Sequence, residues 1–463
     1  NSKSSFKFDI KNLARRRSVD TNRHRCFKIP MRSFISHLAR HGRTCNTARI
    51  INSRTTTRRY LSTFHDLFNP TEEHAQLRTM LRDFVQNEVE PQAVEYNREE
   101  KFNLPLLKQL GDLGLLGLTV PETYGGSGMD ATASVIVHEE LSTSDPAFCL
   151  SYLAHSLLLV HNLSINSSHK QKEKWLPRAC AGDIIGGMAM SEPGAGTDVL
   201  GMSTKATKQS LGAKEESSWT LNGRKMWITN GTLDGGLTTG DLFLTYAKTG
   251  PERQDITAFL VEKGMPGFEL GQQIQDKLGM RASPTAELVL DHVEISSSSN
   301  VIGEVNGATL CMMRNLEIER LGLAAMGLGI ARRSINVMKE YASQRQAFGS
   351  DLWKFGQIQQ MITTSYAEYM AGRTYVYALA NRLDLESDGN GLDADGAKLY
   401  CAQMAKEVAD RSIQVLGGYG YVGDSAVERL WRDAKLLEIG GGTNESHHKN
   451  MARDLKAMPQ ELE

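Results

Sequence analysis

Apolar residues recur at helical spacing from about residue 71 to 182. Thr71-Glu72-Glu73 reads as a helix start, and Leu77, Met80, Leu81 and Phe84 follow on one face. Glycine turns such as Gly125-Gly126-Ser127-Gly128 punctuate this region. From about residue 187 the period shortens. Ser218–Leu221 and Arg224–Thr229 flank Asn222-Gly223, a two-residue hairpin signal. Leu242–Ala247, Ile256–Val261 and Ala286–Leu290 are further strand candidates. Long helices return at roughly 307–342, 355–384, 394–417 and 425–438, with Glu386–Asp395 as a polar surface loop. Helices, then strands, then helices predict an α+β fold, not an alternating parallel sheet. The expected divisions are 63–186 (helical), 187–298 (β) and 299–463 (helical), after a segment 1–62 of different character.

One residue breaks the pattern. Glu319 has Met312, Leu316, Leu323 and Met326 at helical spacing around it. Burial disfavours a carboxylate's charge and makes the group a better base near neutral pH. Glu317 has a similar setting among Leu310, Met313, Leu321 and Ala324, so periodicity does not separate the two. The plain alternative is an ion pair with Arg314 or Arg320.

Charge is uneven. Residues 1–62 hold four lysines and twelve arginines against Asp9 and Asp20, a net of +14; the whole chain is at −1, so the remainder carries −15. An acidic folded part argues against nucleic acid as the main partner. The Arg-rich, Ser/Thr-rich, acid-poor segment reads as an organellar transit peptide, with a basic tail as the alternative. Within it, Met31 opens a stretch that places Phe34, Ile35 and Leu38 opposite Arg32 and Arg40. Met31 is therefore the expected translation start, residues 1–30 upstream sequence, and Tyr60–Leu61 the expected cleavage site. Beyond Cys26 and Cys45, the four cysteines Cys149, Cys180, Cys311 and Cys401 stand isolated, as suits a reducing compartment. No uninterrupted apolar run reaches the ~18 residues of a membrane span.

Several motifs carry no chemistry. Gly418–Gly423 matches G-x-G-x-x-G but follows a helix, so it fails the context of a dinucleotide site. The adjacent His447 and His448 do not share a helical face, and His155 reads as a packed core or pocket histidine.

Met188–Val199, MAMSEPGAGTDV, is more telling, a hydroxyl-rich turn whose backbone can approach a ligand closely. With Lys225–Gly231 (KMWITNG), it resembles the acyl-CoA dehydrogenase family. The resemblance runs from about Pro70 to Leu455 and includes Asp276–Arg281, Arg345–Gly349, Gln414–Tyr421 and Arg432–Thr443. It implies an N-terminal helical domain, a central β domain and a C-terminal four-helix bundle. It also implies FAD, an acyl-CoA substrate, electron-transfer flavoprotein as acceptor, the mitochondrial matrix and a homotetramer that shares flavin sites.

By that resemblance Met188, Met190, Ser191, Trp227 and Thr229 line the flavin. Arg345, Phe348, Gln414, Gly417 and Gly418 reach the FAD of a neighbouring subunit, and Thr443 and Glu445 complete the cofactor set. Thr197, Arg320, Gly441, Leu153 and Ser156 fall to the substrate. Most members carry the catalytic base at the position of Gly441, where this chain has Gly440-Gly441-Gly442. A branch that includes isovaleryl-CoA and some long-chain dehydrogenases places it on an internal helix, as LEIERL does here with Glu319. The resemblance thus makes Glu319 the base and leaves Glu317 a structural role. The chain departs from that branch at Asn444–Lys449, where S-E, an apolar residue and Arg are usual. A dehydrogenase of another acyl length, or a non-catalytic subunit of a respiratory assembly, stays open.

Overall fold

The computed structural model describes residues 66–209, 218–385 and 391–458. The readings made for residues 1–62 lie outside them.

Helix α1 (Glu72–Phe84) starts where the sequence places it, because the Thr71 hydroxyl accepts the His74 N–H. It continues through a wide turn at Val85–Val89 into α2 (Glu90–Glu99). Then come α3 (Leu104–Asp112), α4 (Ala131–Ser142), α5 (Pro146–Asn166, widened over Ala154–His161) and α6 (His169–Ala181). Helix α5 is long and apolar enough to cross a membrane, but most of it is buried inside the fold, so it is a core helix. Its His155 is structural: Nε2 donates to the Ala179 carbonyl at 3.0 Å, and Nδ1 accepts the Gly186 N–H at 3.3 Å.

The strands are β1 (Gly186–Ala189), β2 (Lys205–Gln209), β3 (Ser218–Thr229), β4 (Leu242–Lys248), β5 (Ile256–Glu262), β6 (Phe268–Gln273), β7 (Thr285–Ser296) and β8 (Val301–Ile302). They form one sheet in the order β6-β7-β3-β2-β4-β5-β8, with β1 parallel to β4. The expected hairpin at Asn222-Gly223 is absent. β3 is one long strand that pairs with β7 on both sides of that dipeptide. The register slips there because β7 carries an extra residue, His292 at φ 55, whose N–H donates to Asn222 Oδ1 at 2.9 Å. Asn-Gly serves a bulge in mid-sheet, since its side chain satisfies a backbone donor that the ladder leaves over.

The third layer holds α7 (Ala308–Gln344), α8 (Gly356–Ala380), α9 (Gly391–Leu416), α10 (Ala426–Leu437) and α11 (Asn444–Ala457). Helix α9 begins inside the stretch expected to be a loop. Asp395 is consequently helical and buried. Helix α7 packs against α4, β5 and α9, so it touches all three layers. Its glycines permit this. A Cβ at Gly329 would stand 2.4 Å from the Glu139 carbonyl of α4, and one at Gly327 would stand 2.8 Å from the Cys401 carbonyl of α9. Two carboxylates on α4 are buried with them. Arg78 and Arg332 bridge both Glu139 and Glu140, and Arg373 bridges Glu139. The Asp276–Arg281 and Arg432–Thr443 motifs meet through packing: Asp433 Oδ1 accepts the Met280 N–H at 2.5 Å.

Candidate active site

Glu319 lies on α7, 7% exposed, and its Oε2 has no hydrogen-bond partner. The ion pair weighed as its plain explanation is not made. Arg320 turns instead to Asp395 of α9, Nη1 to Oδ1 at 2.9 Å. Burial pushes the Glu319 carboxyl up to about 7, against the opposing pull of Arg320 and Lys398. Glu317, also buried, lies near the start of α9, with Oε1 3.5 Å from a Cβ built on Gly391.

Facing Glu319 is the turn Gly440–Gly442, which joins α10 to α11. Gly441 sits at φ 65, and a Cβ there would stand 3.6 Å from Glu319 Oε1 and 2.2 Å from Leu323 Cδ1. The glycine and the carboxylate share one small space, though 122 positions separate them. One turn along α7, Gly322 faces α5, where Leu153 Cδ1 and Leu157 Cδ1 come within 3.2 and 3.1 Å of its Cβ position. Ser156 is buried beside Tyr152, on the same helix.

Behind the glycine turn is a charged cluster that the sequence did not disclose. Asp395 takes Arg320 on one side and His447 Nδ1 at 2.7 Å on the other. Lys398, fully buried one turn further along α9, donates to the Gly442 carbonyl at 2.6 Å. Burial brings its ammonium down to about 8, with Glu319 opposing. The only available signal is the helical spacing of Asp395 and Lys398 at the start of the helix expected over 394–417, which does not name their partners.

The sheet carries a second constellation. A bulge in β3 inserts an extra residue between Lys225 and Ile228, putting Trp227 at φ 66 and leaving it 61% exposed. Met188, Met190, Ser191 and Thr229 are half-open around it, while Ala189 and Ile228 between them are buried. The turn after Met190 is pinned by a buried ion pair: Lys225 Nζ meets Glu192 Oε1 at 2.9 Å and the Met190 carbonyl at 3.2 Å. Burial raises the Glu192 carboxyl, but Lys225, Thr204 and Ser203 outweigh it and hold it at about 2. Beyond this anchor, Gly194, Gly196 and Thr197 face outward.

A third group lies apart from both. Arg345, Gly417 and Gly418 line an open cleft of about 490 Å³ with Tyr341 and Tyr419. Phe348 and Gln414 are exposed, Phe348 at 98%. Thr443 caps α11 by accepting the Ser446 N–H at 3.2 Å, and Glu445 is exposed in its first turn.

The chain matches the N-terminal, middle and C-terminal domains of acyl-CoA dehydrogenase over 71–183, 187–293 and 306–456. It belongs to the acyl-CoA dehydrogenase family. It is 41% identical to mitochondrial isovaleryl-CoA dehydrogenase of Pongo abelii, over 84% of this chain and 89% of that protein. Butyryl-CoA dehydrogenase from Megasphaera elsdenii superposes with a TM-score of 0.78 at 32% identity, covering 83% of this chain and 98% of that one. A Mycobacterium smegmatis glutaryl-CoA dehydrogenase solved with FADH2 gives 0.76 at 28%, covering 85% and 96%. This acyl-CoA dehydrogenase is an FAD enzyme, and its residues fit a flavin. A tryptophan held outward by left-handed backbone, among half-open Met, Ser and Thr positions, offers a flat apolar surface rimmed with polar groups.

Proposed function

We propose that the chain converts isovaleryl-CoA to 3-methylcrotonyl-CoA in leucine catabolism, with Glu319 as the base. The observation that carries this reading is the juxtaposition of Glu319 with Gly441. A carboxylate supplied by α7 faces a turn that holds no side chain of its own. Glu319 removes the proton α to the thioester carbonyl, and its burial keeps it basic near neutral pH. The Gly441 N–H is the donor assigned to the thioester oxygen. Leu323 Cδ1 fills the place that a side chain at 441 would take, and the extra methyl of a branched acyl chain packs beside that leucine.

Met188, Met190, Ser191, Trp227 and Thr229 would hold the flavin. Thr443 and Glu445 would reach it from α11, and Arg345, Phe348, Gln414, Gly417 and Gly418 would reach the flavin of a neighbouring subunit. What FAD supplies when bound is an acceptor for the hydride that leaves the β carbon. Thr197 lies toward CoA, Arg320 stands beside the base, and Leu153 and Ser156 bound the acyl pocket. The exposure of Phe348 and Gln414 supports a flavin site shared across a homotetramer. Electrons pass to electron-transfer flavoprotein. The basic segment 1–62 and the mitochondrial names of relatives support import to the matrix.

Two measurements test this. Glu319→Gln keeps shape and bound FAD but slows flavin reduction by about 10³-fold or more. Reduction at near wild-type speed would remove Glu319 from the role. Across an acyl-CoA panel, kcat/KM for isovaleryl-CoA exceeds that for octanoyl- and palmitoyl-CoA by at least about tenfold, the worth of a methyl that fits. A preference for palmitoyl-CoA would overturn the substrate while leaving the base intact.

A further inference from the structure

Lys398 is the group that the reaction as described leaves unused. An ammonium in a protein interior is costly unless something compensates it. Among the described residues it makes no salt bridge: Asp395, one turn away, is engaged by Arg320 and His447. Its Nζ donates instead to the Gly442 carbonyl at 2.6 Å. Gly442 follows Gly441, which faces Glu319. Both glycines have left-handed backbone, at φ 65 and 98, and a turn of this kind has little to stiffen it. The ring of His447 lies on the same turn, where a Cβ at Gly442 would meet Cε1 at 3.0 Å, and His447 Nε2 is buried without a partner.

We propose that Lys398 is a positioning residue for the dehydrogenation, locking the Gly441–Gly442 turn against Glu319 and adding a second cation to Arg320 on that side of the site. This rests on the reading of Glu319 as the base. The arrangement has a specific logic. Hydrogen bonding at Gly442 fixes the backbone next to the proposed thioester donor, so the substrate carbonyl meets a rigid partner. The positive charge favours the carboxylate form of Glu319, opposing the burial that would otherwise keep it protonated at neutral pH. The other charged or titratable groups acting on Glu319 are Arg320 on its own helix and Tyr246 of β4; Asp395 and His447 stand behind Arg320, and Glu438 acts on Lys398. All of them survive a change at 398, so its effect is separable.

The test uses flavin-loaded enzyme, rapid mixing with isovaleryl-CoA and a pH range from about 6 to 9. Lys398→Met should keep FAD, slow flavin reduction by about tenfold or more through loss of alignment, and move the acid limb of the rate upward by about one pH unit. Lys398→Gln, whose amide can still donate to Gly442, should recover part of the rate but not the limb. Lys398→Arg should hold the limb in place. If Met does not fold, Gln against Arg carries the same comparison. An acid limb at the wild-type position in the Met or Gln variant overturns the proposal, because a purely structural lysine would change stability and flavin content and leave the limb unmoved. Glu319→Gln is measured in parallel. Activity there sinks the base itself, whereas an inactive Glu319→Gln with unshifted Lys398 variants sinks only the role of Lys398.

Discussion

Glu319 is buried with no hydrogen-bond partner at Oε2, and that burial has a thermodynamic signature. Burial pushes its carboxyl up to about 7, from the ordinary 4.5 of a glutamate. A carboxyl raised in this way favours the folded state while protonated. That contribution is complete below about 4.5 and is lost as pH rises through 7. Glutamine carries no such charge, so Glu319→Gln should gain stability over wild type between pH 5 and 8. The gain is a few kcal/mol, at roughly 1.4 kcal/mol per unit. Thermal unfolding of both proteins across that range checks it; a constant difference would mean that Glu319 is not perturbed. Gly441 gives a second residue-scale expectation. Alanine there has unfavourable backbone and places its methyl 2.2 Å from Leu323 Cδ1, so Gly441→Ala should cost about 1–3 kcal/mol and slow flavin reduction. Adding Leu323→Ala should return part of the rate. No recovery in the double variant would place the fault in the backbone alone.

At the scale of elements, the sheet and its turns hold their functional side chains by buried polar contacts. Lys225 ties β3 to the turn after β1 through Glu192. Lys225→Met should cost about 3–5 kcal/mol, because it strands a buried carboxylate. It should also lower flavin content, because Met190 and Ser191 lose their anchor. Absorbance ratio and melting temperature report both, and full flavin content would dissociate that anchor from the cofactor. The sequence was legible here where periodicity dominates. The α1 start, strands β4 and β5 and the four long C-terminal helices follow from apolar spacing. It misled where one residue pair serves two geometries. Asn222-Gly223 looks like a turn, yet its neighbours continue straight because β7 supplies the extra residue. Helix α11 was missed because NESHHKNMARDLKA has no apolar stripe; its one signal was the Thr443 cap. Asp395 falls where the polar loop and the helix expected over 394–417 overlap, and nothing local marks it as buried, because its partners Arg320 and His447 come from distant parts of the chain.

For the whole molecule, the order helices, strands, helices is read directly from changes in period, and the site is assembled where the three layers meet on α7. Motif resemblance points to Glu319 and Gly441, but that they face each other is a property of the fold. Two expectations belong to this scale. The mature protein should begin near Leu61, which intact-mass analysis of protein from mitochondria decides. A mature chain retaining Arg15–Arg17 would refute both that cleavage site and the Met31 start. If the flavin is shared between subunits, Phe348→Ala should weaken assembly and flavin retention together. Light scattering and absorbance on one sample would show whether the two losses coincide.

The separation of Glu319 from the Gly440–Gly442 turn also bears on how such an enzyme can diversify. On the proposed reading the base is fixed by α7, which packs against α4, β5 and α9, while the segment from Gly440 to Lys449 shapes the neighbouring space. Heritable change can accumulate at the exposed His448 and Lys449 of that segment without extinguishing catalysis. A library randomised at 448 and 449 should therefore yield clones whose ranking of acyl-CoA substrates is reordered and whose dependence on Glu319 is untouched.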